Sequence, residues 1–208
     1  MTDTEPVPRG RVYGGQGGDE RRAERRAQLI EAGLDMLGGG EAVSVRGVCK
    51  KSGLTTRYFY ESFADRSALE NAVYDHVVEV LAGNAWDAVA PVDDEKAAVR
   101  AGIESIVRDV AADPRLGHVM FSASPALQVF AQRRIESTRM FAGLVTRKAA
   151  DFYDVEQPGL DLVAHFVVGG FAQALTAWLT GTVELDESDV VDTCTELLLS
   201  LAPATGSL

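Results

Sequence analysis

With 208 residues, 46% of them hydrophobic, the chain holds enough apolar material for one sizeable core or for a small domain joined to a larger one. Its two cysteines, Cys49 and Cys194, stand far apart without a Cys-x-x-Cys spacing, which excludes a disulfide scaffold and a cysteine-built zinc site. A net charge of −11 argues against indiscriminate binding to nucleic acid, because long-range attraction follows the summed field. The acidity is unevenly placed. Residues 1–65 carry 10 Lys+Arg and 10 Asp+Glu, whereas residues 66–208 carry 10 and 21. A short N-terminal module without excess negative charge is therefore compatible with DNA.

Residues 1–18, MTDTEPVPRGRVYGGQGG, lack the apolar centre of a signal peptide, and their Gly and Pro content predicts a flexible arm. A cytoplasmic, reducing setting is expected. From Asp19 the run DERRAERRAQLIEAGLDML sets Leu29, Gly33 and Met36 on one helical face with Ile30, Leu34 and Leu37 beside them, and Gly38-Gly39-Gly40 ends it. Ser44 is placed to cap a short second helix with Val45, Val48 and Cys49 inward. Ser52-Gly53-Leu54 breaks that helix, Thr55 or Thr56 starts a third through Phe59 and Phe63, and Asp65 caps a fourth.

Beyond Asp65 the period stays helical, with no alternating strand and no hairpin signal. Helices are predicted near 66–90, 94–112, 115–122, 125–153, 160–181 and 187–202, with prolines at 91, 114, 125 and 158 marking breaks. Ser124-Pro125 reads as a cap followed by proline in the first turn. The 125–153 segment carries the stripe Ala131, Ile135, Thr138, Ala142, Val145, Ala149 and Phe152. The stretch LVAHFVVGGFAQALTAWL, residues 162–179, is apolar almost all round. Its acidic flanks, without Lys or Arg, favour a helix buried in protein over a membrane span. The expected fold class is all-α: an N-terminal helix-turn-helix domain over 19–65 and a helical domain over 66–208.

Two short helices joined by a tight glycine turn describe a helix-turn-helix, whose second helix enters the major groove. With Val45, Val48, Leu54, Phe59 and Phe63 inward, Arg46, Lys50, Thr55, Thr56, Arg57, Tyr58 and Tyr60 are left outside to meet phosphates and base edges. In its Arg- and Ala-rich first helix, Gly40, Ser44, Ser52-Gly53-Leu54, Tyr60 with Phe63, and Asp65-Arg66 followed by Leu69, residues 21–75 resemble the DNA-binding domain of TetR-family bacterial transcriptional regulators. Arg57, Tyr58 and Ser62 depart from that family's commoner residues, in the helix that varies with operator sequence.

The resemblance implies a dimeric repressor that binds a pseudo-palindromic DNA operator and is released by a small, partly apolar effector. It places Ser44, Tyr60 and Arg66 on the DNA backbone and Thr55, Thr56, Arg57 and Tyr58 near bases, with Arg46 beside them. For an effector pocket between C-terminal helices, Met120, Phe121, Phe141, His165 and Phe166 are the candidates, since a pocket needs apolar walls and a few polar handles. For a homodimer interface, the 160–181 and 187–202 helices offer Phe171, Leu175, Trp178, Val191 and Leu198. A helical small-molecule-binding or enzyme domain without operator binding is the competing class. Against an enzyme, Ser122 and Ser124 near His118 lack the G-x-S-x-G elbow and its strand, and YGGQGG lacks a phosphate loop's Lys. Asp161 and His165 share a helical face, but one pair does not make a metal site. No catalytic residue, cofactor, metal or membrane partner is expected.

Overall fold

The computed structural model describes residues 16–122, 125–152 and 159–201. The described residues form nine α-helices and no strand, an all-α fold. The helices are α1 (Gln16–Gly38), α2 (Val45–Ser52), α3 (Thr56–Ser62), α4 (Arg66–Val89), α5 (Glu95–Ala112), α6 (Pro114–Phe121), α7 (Ala131–Ala149), α8 (Leu160–Leu179) and α9 (Glu187–Leu201). A 3₁₀ turn, Pro125–Phe130, precedes α7.

The caps set the boundaries of the N-terminal part. The Ser44 hydroxyl accepts from the Gly47 amide at 3.1 Å and the Asp65 carboxylate from the Ala68 amide at 2.8 Å, each satisfying a donor that the first turn would leave open. Gly53 ends α2 with φ 72°, a left-handed conformation that costs a residue with a Cβ about 1–2 kcal/mol. α1 begins at Gln16, so the last residues of the expected arm are helical. The rest of the arm and Ser124 lie outside the described residues.

One core runs through the N-terminal helices into the larger part of the chain. Leu29 and Leu37 of α1, Val48 of α2 and Phe59 of α3 are buried together with Leu69, Val73 and Val77 of α4 and Val110, Leu116 and Val119 of α5 and α6. The helices touch closely where glycine permits it: a Cβ on Gly33 would lie 2.8 Å from Val73 Cγ2, and one on Gly38 would lie 2.5 Å from Arg115 Cβ. No break in packing falls at residue 65. A second cluster joins Ile103 and Val107 of α5 to Leu175 of α8 and Val190, Val191 and Cys194 of α9, and Phe121 and Trp178 pack against both clusters.

Three expectations need correction. The 125–153 helix is divided, because Leu127 and Phe130 are both fully buried three residues apart, a spacing that a 3₁₀ turn stacks on one side. The expected stripe of α7 holds in part: Ala142 is buried, whereas Ala131, Ile135 and Val145 are exposed, and Ser137 and Lys148 from outside the stripe are buried. The chain by itself does not surround α8. Only Leu160, Ala164 and Leu175 are buried there, while Leu162 and Phe166 are 75% and 66% exposed. By length and composition α8 is the one described helix that could cross a membrane.

Candidate functional site

The helix-turn-helix presents a compact polar edge. Phe59 and Phe63 fill the inner side of α3 and its cap, with ring centroids 5.9 Å apart, and so fix which residues point out. Thr55, Thr56, Arg57 and Tyr60 are exposed, as are Ser44, Arg46 and Lys50 of the preceding cap and helix. Thr55 is the N-cap of α3 but makes no side-chain cap bond, so its hydroxyl stays at the surface. Ser44 accepts from Gly47 and retains its own O–H to donate outward.

The cations at this edge differ in their commitments. Arg57 Nε donates to Glu61 at 2.9 Å, and Arg66 lies 3.4 Å from Glu70. Glu70 is buried, and that burial pushes its carboxyl up despite the Arg66 charge. Arg46 and Lys50 have no carboxylate partner among the described residues. Tyr58 is half-buried with the Arg25 guanidinium 4.6 Å from its ring centre, so it buttresses α1 as well as bordering the edge. Arg26 is similarly placed over Phe63 at 4.7 Å.

Behind this head, α1 is clamped to α6. Arg115 Nη1 donates to Glu31 at 2.7 Å and also to Asp35, while Nη2 donates to Asp113 at 2.7 Å. These bonds hold the guanidinium charged and keep the Asp113 carboxyl below its ordinary value, chiefly through its hydrogen bond with Arg115. Lys51 of α2 extends the cluster, 3.5 Å from Asp35. The end of α2, beside the turn into α3, is thus linked by charge to α6.

A cavity of about 600 Å³ lies among α4, α5, α6, α7 and α8. Its walls are mainly apolar, including Leu81, Trp86, Ile103, Phe141, Val167 and Phe171. It includes Met120, Phe121 and Phe141, brought together from α6 and α7, three of the five residues expected at a pocket. The other two are elsewhere: His165 and Phe166 are exposed on the outer face of α8, and His165 Nδ1 donates to the Asp161 carbonyl at 2.8 Å. A helix that contacts the body along one side turns adjacent residues apart, which is why the apolar run could not assign them.

The residues expected at a dimer interface also face inward. Leu175 and Val191 are buried in the second core, so one subunit already covers them. Phe171 and Leu198 border the cavity, and Trp178 packs against both cores. The open apolar surface is instead Leu162 and Phe166 of α8 with Leu197 of α9.

Arg134, Ser137, Thr138 and Lys148 line the cavity and were not anticipated. The recurrence Arg134, Phe141, Lys148 at seven-residue intervals was the available signal, because it places all three along one side of α7. Cations on an amphipathic helix usually mark its solvated side, as Arg139 and Arg147 do here, but Arg134 and Lys148 line the cavity beside Thr138, Val145, Ala149 and Phe152 of the expected stripe.

No family model matches the chain, and no curated protein matches it in sequence. Solved structures do match in fold. The fatty acid degradation regulator FadR from Bacillus halodurans superposes with a TM-score of 0.69 at 15% identity, over 84% of this chain and 94% of that one. A TetR family transcription regulator from Marinobacter aquaeolei VT8 gives 0.65 at 15% identity, over 86% and 96%. FadR from Bacillus subtilis, solved in complex with stearoyl-CoA, gives 0.66 at 15% identity, over 84% and 97%. The fold of this chain is the one that these TetR-type transcription regulators share.

Proposed function

We propose that the protein is a sequence-specific DNA-binding transcription regulator, a repressor whose hold on a pseudo-palindromic operator is lowered by a small, partly apolar ligand in the cavity. The observation that carries this reading is the exposed edge formed by Ser44, Arg46, Lys50, Thr55, Thr56, Arg57 and Tyr60 around the Gly53 turn. Arg46 and Lys50 supply cations for phosphates, while Thr55, Thr56 and Arg57 stand at the start of α3, the end of a recognition helix that reaches base edges. Residues 19–65 act as the DNA-binding head and 66–208 as the effector-binding and dimerising body. A cytoplasmic setting with access to DNA suits this role.

The cavity's apolar walls suit an elongated effector, and the stearoyl-CoA held by the Bacillus subtilis neighbour supports that class. For assembly, Leu162, Phe166 and Leu197 form the face to be covered by a second copy, with Gly169 and Gly170 open to close approach from outside. Two heads on one body would read successive major grooves roughly 34–36 Å apart. Selection of bound sequences from random DNA tests the reading. Enrichment of a two-fold symmetric sequence is expected, and recovery of no enriched sequence by the intact protein would remove the sequence-specific regulator from consideration.

A further inference from the structure

Resting on that reading of the cavity as an effector site, we infer that the effector is an amphiphile with a free carboxylate, its anionic head held by Arg134 and its apolar tail lying along α7 towards Phe152. The two ends of the cavity are chemically different. At one end Tyr74, Met120, Phe121, Ser137 and Arg134 meet, and at the other are Trp86, Val89, Glu95, Lys148 and Phe152. Arg134 and Lys148 are fourteen positions apart in the same helix, a path of about 21 Å along its axis. The walls between them are mostly apolar, which suits a ligand whose middle is hydrocarbon.

The Arg134 end carries the open demand for an anion. Its Nη2 donates to the Ser122 carbonyl at 2.5 Å, which fixes the guanidinium plane, while its Nε is buried without a hydrogen-bond acceptor. No carboxylate among the described residues pairs with it. The nearby Asp75 is engaged by Arg133. Neighbouring hydroxyls do not meet the demand: Ser137 and Thr138 donate to the Arg134 carbonyl, at 3.1 and 2.8 Å, Tyr74 is bonded to Ser137 at 3.0 Å, and none of the three accepts from the guanidinium. Arg134 is half-buried, and its Nη1 makes no hydrogen bond among the described residues, so the guanidinium keeps a donor and a charge without a counter-ion at the cavity wall, an arrangement an anionic partner would stabilise. A water molecule would accept the hydrogen bond but leave the charge, whereas a carboxylate oxygen answers both.

The opposite end has no such demand. Lys148 Nζ donates to Asp151 at 2.7 Å, and Glu95 adds a negative charge to the lining there. An anion entering that end meets a neutralised lysine and a carboxylate. The polarity of the cavity therefore sets the orientation of the ligand: head at Arg134, tail end towards Trp86 and Phe152.

Calorimetric titration of the full chain with dodecanoate, dodecanol and dodecanoyl-CoA tests this, alongside the variants Arg134→Met and Arg134→Lys. Dodecanoate should bind the parent protein roughly ten- to a hundredfold more tightly than dodecanol, the range of one charge-assisted hydrogen bond. Arg134→Met should erase that preference, and Arg134→Lys should keep part of it, which separates loss of charge recognition from loss of fold. Equal affinities in the parent, a preference that survives Arg134→Met, tighter binding of the CoA thioester than of dodecanoate, or no binding of either small probe would each overturn the assignment. Selection of operator sequences with the same preparation keeps the two readings apart. Enriched sequences without a carboxylate preference reject this ligand class alone, and a carboxylate preference without enriched sequences rejects the regulator.

Discussion

Arg57 occupies the outer rim of α3, exposed apart from its bond to Glu61. An exposed pair at this helical spacing contributes about 0.3–0.5 kcal/mol to folding, so Arg57 is nearly free to be used for something else. Arg57→Ala should leave the unfolding midpoint almost unchanged yet weaken operator binding by about 1–3 kcal/mol and relax base preference at the position it reads. Fluorescence anisotropy on the selected operator and its single-base variants measures both effects; uniform weakening across the variants would reassign Arg57 to a phosphate. Arg115 is the opposite case, a guanidinium surrounded by Glu31, Asp35 and Asp113. The lowered Asp113 value means that this carboxylate stabilises the fold above the ordinary aspartate range, near pH 4, and loses that contribution as pH falls through its folded value. In Arg115→Met the three carboxylates lose their shared cation, and among the described residues only Asp35 keeps a cationic partner, Lys51. Stability should drop at neutral pH, and its decline below about pH 4 should flatten, both visible in denaturant melts across pH.

At the level of elements, the glycines separate by what surrounds them. Gly53 has open space around a Cβ but a left-handed backbone, so Gly53→Ala should cost about 1–2 kcal/mol through strain alone. Gly83, inside α4 with no atom within 4 Å of a Cβ and no left-handed backbone, is the converse, and Gly83→Ala should stabilise by about 0.5–1 kcal/mol. Chemical denaturation of the two variants checks both signs. Capping residues and glycine breaks are local chemistry, which is why α2, the turn, α3 and the start of α4 were legible in the sequence nearly to the residue. The exposed polar edge around α3 followed from them, because Phe59 and Phe63 settle the inner face. The cavity was less legible. Which side of α7 faces inward is decided by α4 and α8 rather than by the helix itself, so a stripe chosen for apolarity missed Arg134 and Lys148. The same reason explains α8: its composition is apolar on most sides, and only packing shows that Leu175 is covered while Leu162 and Phe166 are open.

For the whole molecule, Leu162 and Phe166 of α8 and Leu197 of α9 are large apolar side chains left more than half exposed. If a second copy covers them, Phe166→Glu places a charge at a dimer contact without entering the subunit core. Light scattering should then report a folded monomer, and operator affinity should fall because the two heads no longer bind from one body. A variant that stays dimeric with normal operator binding would move the interface elsewhere. Leu175→Glu is a poor test by comparison, since a charge at a fully buried position disrupts the subunit first.

α6 has a double attachment. Its first turn carries Arg115, clamped to α1, and its last turn carries Met120 and Phe121, which form part of the cavity wall. Eight residues of helix make a rod about 12 Å long, too short to bend appreciably. Its two ends therefore behave as the arms of a lever, with Leu116, Gly117 and Val119 seated in the body near the fulcrum. Under the proposed function, a ligand that displaced the Met120 arm would move the Arg115 arm, whose contacts run through Asp35 and Lys51 to the turn before α3. Tilt, not unfolding, would be the output of such a lever, and it would alter the pitch at which the proposed head meets a groove.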